Sequence, residues 1–142
     1  MRRNVYHPDG HDADLSKARQ TDLYVVVIKG TRTDASQSVQ TLVVDLLPAG
    51  LEIETATVSK GRSTTDYSWL PNLSEATYTE ERDDRYIAAL DMKEGTRDFT
   101  LAYVVRAVTP GEFKYPALVA EDMYEPETSG RTAIGKLKVS VR

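Results

Sequence analysis

Carboxylates are the most plentiful potentially reactive groups in this chain, and they are densest in Glu80-Glu81-Arg82-Asp83-Asp84-Arg85. Two carboxyls about 5–10 Å apart in a cleft could act as acid and base in glycoside or peptide hydrolysis. Here the interleaved arginines would keep the acids ionised rather than raise a pKa, so the cluster reads as salt bridging around a hairpin turn. His7 and His11 are the two histidines. On a helix they would share one face and could hold a metal. Pro8 and Gly10 lie between them and oppose a helix, and a transition-metal site also wants third and fourth ligands. Neither a metal site nor a cofactor is expected. A Ser-His-Asp arrangement has no base, because the body of the chain lacks histidine. The absence of cysteine removes disulfides, thiolate metal sites and a Cys nucleophile together. A non-enzymatic protein is expected.

Four other features need an explanation. Asp45 lies inside an apolar stretch ahead of Pro48, and a buried acid must find hydrogen-bond donors; the turn amides around Ala49-Gly50 are the expected ones. Arg106 interrupts the most apolar run and needs a carboxylate on a neighbouring strand, Asp45 or Asp91. Met123-Tyr124 places two large side chains between acids and Pro126. They either pack back onto their own domain or protrude as a contact for another one, since Met adapts to irregular surfaces and Tyr joins an apolar body to a polar tip. Finally, Tyr67, Trp69 and Tyr78 could form an aromatic ligand platform.

The elements that must position these residues are strands. Phe99 to Val108 is apolar on both alternating faces except at Arg106, and reads as a central strand covered on both sides. Thr109-Pro110-Gly111 ends it, with Pro110 suited to the second position of a turn and Gly111 tolerant of a positive φ. Further strands are expected at Leu23–Ile28, Val39–Leu47, Tyr78–Glu81, Arg85–Met92 and Glu112–Ala120, the last with Tyr115, Ala117 and Val119 on one face. Lys136 to Val141 alternates, with Leu137, Val139 and Val141 inward. Residues 54–75 read as a long excursion, with a short helical turn around Asn72 to Ala76. Residues 1–20 read as a polar lead-in with one edge strand near Val5, and 21–142 as a single domain. The count is roughly seven or eight short strands without a long amphipathic helix, the pattern of an all-β antiparallel sandwich.

The 142 residues suffice to bury roughly 70% of the unfolded surface without covalent staples. Net charge is −4, with no basic stripe, so no nucleic acid partner is expected. No apolar run approaches the ~18 residues that would span a bilayer. Met1-Arg2-Arg3 has no apolar segment behind it and is not a signal peptide.

The phrase YVVRAVTPGEFKYPALVAEDMYEP resembles the closing domain of bacterial alpha-2-macroglobulins, large periplasmic protease traps. Leu42 to Ile53 and Glu81 to Tyr86 match the same domain in the same order. That family often has Gly before the acid leading the first strand, where this chain has Gln20-Thr21-Asp22, a local turn difference. The resemblance implies a macroglobulin-like, Ig-like β-sandwich taken from the C-terminal end of a longer secreted parent, with a start methionine added. It implies that Met123 and Tyr124 press on a neighbouring thioester domain and keep water and nucleophiles off a strained bond until bait cleavage shifts the domains. Asp45, Pro48, Arg106, Pro110 and Gly111 are expected to be structural.

The partners implied are other domains of the parent, chiefly the thioester domain, then target proteases and a peptidoglycan-synthesising penicillin-binding protein. The location implied is the periplasm. Some family members lack a thioester, and in those the Met-Tyr pair would be an interdomain packing contact only. Apart from the resemblance, a free-standing Ig-like adhesion or carbohydrate-binding module would also suit the strand pattern, with Trp69 ordered and exposed instead of buried.

Overall fold

A computed structural model of the chain describes residues 1–55, 69–70, 72–82, 84–124 and 129–142. Among these there are twelve strand segments and one 3-10 turn, Leu15–Lys17. Strands β1 (Arg2–Tyr6), β3 (Leu23–Thr31), β8 (Asp98–Ala107) and β5 (Leu51–Thr55) form a four-stranded sheet in that order. A five-stranded sheet runs β11 (Ser129–Arg131), β10 (Val119–Asp122), β4 (Val39–Leu46), β7 (Arg85–Met92), β6 (Tyr78–Arg82). A small third sheet joins β2 (Ala18–Arg19), β12 (Gly135–Ser140) and β9 (Gly111–Tyr115). Pairing is antiparallel except between β12 and β2.

The expected sandwich is present, cut into more segments than the seven or eight expected. One reason is Pro116, which has no N–H for a ladder. The expected run Glu112–Ala120 is split there: β9 joins the third sheet and β10 the five-stranded one. The stretch around Asn72 to Ala76 is not helical. The edge strand near Val5 is β1, paired along its length with β3.

Apolar side chains from the facing sheets make one core: Tyr24, Val26 and Ile28 of β3, Tyr103 and Val105 of β8, Val43 of β4, and Tyr86, Ala88 and Leu90 of β7. Leu137 and Val139 of the third sheet join it. Val141, expected inward, lies beyond the end of β12 and is exposed. The other side of the central strand, Ala102 and Val104, is covered too, together with Val25 and Val27, by Tyr6, Leu23, Trp69, Leu70 and Leu73. β8 is therefore apolar on both faces because both faces are buried.

Arg106 falls on that second side. It lies opposite Leu23 and Glu52 in register, and its guanidinium donates to Glu54 at 3.2 Å and to the Thr21 carbonyl at 3.0 Å. The pairing expected with Asp45 or Asp91 does not form. Asp45 points into the core on the other side of β8, and alternation keeps an even-numbered residue of this strand away from it. The Arg106 charge holds the exposed Glu54 carboxyl below its ordinary value through their hydrogen bond.

The Thr21 carbonyl belongs to a strained corner. Thr21 has φ +78°, the single positive φ outside glycine among the described residues. The Asp22 N–H closes a four-residue turn on the Arg19 carbonyl, putting Thr21 where type II turns require a positive φ. Clamps surround it: Thr21 N–H donates to Ala107 O, Arg106 holds the Thr21 carbonyl, and Arg142 donates to Gln20 O and Asp22. A β-branched residue there costs about 1–2 kcal/mol, while glycine would lose about 0.5–1 kcal/mol to its freedom when unfolded. Thr21→Gly should therefore raise stability by up to about 1 kcal/mol. A urea midpoint equal to or below that of the wild type would count against the strain.

Candidate functional site

Met123 and Tyr124 stand at the end of β10. The Met123 N–H donates to the Gln40 carbonyl at 2.9 Å, prolonging the pairing of β10 with β4 by one step. The Tyr124 N–H donates to the Asp122 carboxylate at 2.8 Å, an Asx turn that leads the chain out of the sheet. Met123 is 48% exposed and Tyr124 80%. Of the two readings the sequence left open, packing back onto the domain is not what the structure shows. Among the described residues, Tyr124 projects from the sheet end into solvent and Met123 is half exposed beside it.

Asp45 is fully buried, but its donors are not the turn amides. Arg3 of β1 donates through Nη1 to Oδ1 at 2.5 Å, and the Tyr103 hydroxyl of β8 donates to Oδ2. Since Tyr103 spends its hydrogen on the carboxylate, the Tyr115 hydroxyl 2.9 Å away donates to Tyr103. The Arg3 guanidinium also lies over the Tyr115 ring, 3.7 Å from its centre, and Tyr86 stacks on Tyr103 at 4.5 Å. Alternation explains the convergence: Arg3 is paired with inward-facing Ile28, and Asp45 with inward-facing Tyr86. Pro48 is buried, and its carbonyl accepts from Leu51 N–H within the turn. Burial pushes the Asp45 carboxyl above its ordinary value of 3.8, opposed by the charge of Arg3 and by hydrogen bonds from Tyr103 and Arg3. Burial also raises Tyr103, Tyr115 and Tyr86, which stay neutral hydroxyls.

The remaining candidates are dispersed. Pro110 is exposed, and Gly111 takes φ +140° as β9 begins. His7 and His11 flank a tight turn, in which His7 N–H donates to His11 O, and His11 pairs with Asp9 at 2.9 Å. Among the described residues, no group of three or more potential ligands is placed to hold a metal. In the charged hairpin, Arg82 pairs with Glu80 at 2.6 Å and Arg85 with Asp84 at 3.1 Å. Asp83 and the Glu81 side chain lie outside the described residues. Trp69 is partly buried on the four-stranded sheet, its indole N–H donating to Pro8 O at 2.8 Å and its ring 5.3 Å from Tyr6. Tyr78 belongs to the five-stranded sheet, on the far side of the sandwich, and Tyr67 is outside the described residues. Trp69 and Tyr78 therefore cannot form one ligand platform.

The arrangement offers a protruding contact pair on a rigid sheet. Residues 1–127 match the family described as the bacterial alpha-2-macroglobulin MG10 domain. The chain is 37% identical over 136 residues to alpha-2-macroglobulin of Escherichia coli, covering 89% of this chain and 8% of that protein. It superimposes on the crystal structure of Salmonella alpha-2-macroglobulin reacted with methylamine with a TM-score of 0.80 at 34% identity, covering 98% of this chain and 9% of that one. For Escherichia coli alpha-2-macroglobulin activated by porcine elastase the TM-score is 0.82 at 34% identity, with 97% and 13% covered. The chain thus spans a small part of each of these proteins.

The buried ion pair generates a prediction of its own. A folded carboxyl with a raised pKa binds its proton more tightly than the unfolded chain does. Its contribution is complete below the unfolded value and is lost as pH rises through the folded one. Arg3→Met removes the opposing charge and should destabilise by about 3–5 kcal/mol at neutral pH. The deficit relative to wild type should shrink as pH falls towards 4, and adding Asp45→Asn should abolish its pH dependence. Urea unfolding across pH measures this; a deficit that does not vary with pH would contradict it.

Proposed function

This chain belongs to the bacterial alpha-2-macroglobulin MG10 domain family, and from that premise we propose that it is the interaction domain through which such a protease trap holds its native state. The module itself is non-catalytic. In our reading it docks on the thioester domain of its parent, with Met123 and Tyr124 pressed against the reactive acyl group. The observation that carries this reading is their joint exposure at the end of β10. Two large apolar-bodied side chains left in water gain stability once another surface covers them. A tyrosine and a methionine over a thioester would exclude water and small amines, and separation of the domains after bait cleavage would uncover the bond.

A parent acting in the periplasm against invading proteases, beside a peptidoglycan-synthesising penicillin-binding protein, completes the proposal. Support for those last elements is the resemblance of the Tyr103–Pro126 phrase to the family. In a parent without a thioester, the same pair would be an interdomain packing contact.

The test is methylamine uptake by the full-length native parent, with Met123→Ala and Tyr124→Ala made singly and together. The double variant should take up amine at least about tenfold faster than wild type, equivalent to about 1.4 kcal/mol of lost protection. Equal rates would assign the shielding to other residues. A wild-type parent inert to amine before and after protease cleavage would have no working thioester to shield.

A further inference from the structure

The sandwich has two outer faces, and the chain treats them differently. The apolar outer face of the four-stranded sheet is covered by the chain itself, through Trp69, Leu70 and their neighbours. The five-stranded sheet also has an apolar outer face. Alternation directs Leu42, Val44 and Leu46 of β4, Ile87 of β7, Val119 of β10 and Tyr78 of β6 away from the core. Register sets Val119, Val44 and Ile87 in one row across three strands, with Leu42 and Tyr78 in the next. Among the described residues, none of the six belongs to either buried cluster, and Leu46 and Tyr78 are 38% and 55% exposed. The solvated face of an antiparallel sheet is ordinarily polar, and contiguous exposed apolar residues mark an interaction surface. The rim is polar. Glu80, held by Arg82 and Tyr78, borders it on one side, Glu121 on the other, and Arg85 at one end.

We infer that this face is the docking surface for a folded neighbouring domain of the same polypeptide, the one that Met123 and Tyr124 meet. Two observations select that occupant. First, the face runs into the pair: Val119 and Glu121 of β10 are outward, and Met123, one residue past the end of that strand, continues the alternation, its amide bonded to Gln40 of the adjacent strand. A partner that covers Met123 lies over the same sheet. Second, the chain spans a small part of the relatives it matches, and a tethered neighbour meets this face at high effective concentration. An apolar centre inside a rim of both charge signs fits a protein surface. The choice of neighbour rests on the reading of Met123 and Tyr124 above, whereas the apolar face does not.

The chain contains no cysteine, so introduced thiols report accessibility cleanly. Leu46→Cys and Tyr78→Cys sample two corners of the face, and Lys138→Cys on the third sheet serves as a control. Maleimide labelling is followed in this chain alone and in the native full-length parent, other free thiols having been replaced. Both face variants should label at least about tenfold more slowly in the parent, at every dilution, with Lys138→Cys unchanged. Equal labelling of the face variants in the two settings overturns the inference, as does protection that disappears on dilution, which would identify a second copy as the occupant. Tyr124→Cys, labelled in parallel, separates the two readings. Its protection while the face stays free overturns this inference and leaves the docking pair standing; a protected face beside a free Tyr124→Cys does the reverse.

Discussion

A carboxylate at the centre of an apolar sandwich has to be answered by donors from every layer around it, and much of this fold is arranged by that requirement. Asp45 comes from the five-stranded sheet, Arg3 and Tyr103 from the four-stranded one, and Tyr115 from the third. One network therefore ties all three sheets together. No buried side-chain nitrogen or oxygen among the described residues lacks a partner, so the desolvation of the ion pair is offset by hydrogen bonds on each participant. Such a pair contributes less to net stability than apolar packing of the same volume would. What it does is choose: moving Arg3 or Asp45 by one residue would turn that side chain to the wrong face and bury the other charge alone.

That selectivity also explains which features could be read from the sequence. Strand positions were legible wherever alternation or an unbroken apolar run marked them, as in β3, β4, β7 and β8. Both sides of β8 are expected to be covered, and they are: between Phe99 and Ala107 the only charged residue is Arg106. Partners were less legible. Asp45 was assigned turn amides close by in sequence, whereas its real donors are 42 and 58 positions away. The clue was parity: Arg106 and Tyr103 lie on opposite sides of one strand, and the odd-numbered tyrosine faces the core. Arg3 gave no such signal, since an arginine beside a chain terminus looks like a solvated residue. The protruding Met123-Tyr124 was legible as a candidate because two large side chains sat among acids and a proline. Its exposure depended on where β10 ends, which composition does not specify.

The two outer faces complete the account of how the domain is built for company. The four-stranded sheet is finished by the chain itself, with Trp69 satisfied by Pro8 and laid over Val25 and Val104. The five-stranded sheet keeps valine, leucine and isoleucine on its outside and ends at the Met-Tyr corner. The charged hairpin, the densest group of carboxylates in the sequence, forms part of the border of that face, with Arg82 paired to Glu80 and Arg85 to Asp84. The exposed apolar side chains Leu46, Tyr78, Met123 and Tyr124 all belong to this sheet or to the end of one of its strands.

The placing of Arg3 has a mechanical meaning as well. It sits on the second residue of an edge strand, yet its charge is anchored in the middle of the opposite sheet. A tug applied at Arg2 cannot simply peel β1 away one backbone bond at a time. It must first draw a guanidinium out of a dry site and off the face of Tyr115. Load entering at this end therefore meets β4 and β9 through Asp45 and Tyr115 as well as the backbone ladder to β3.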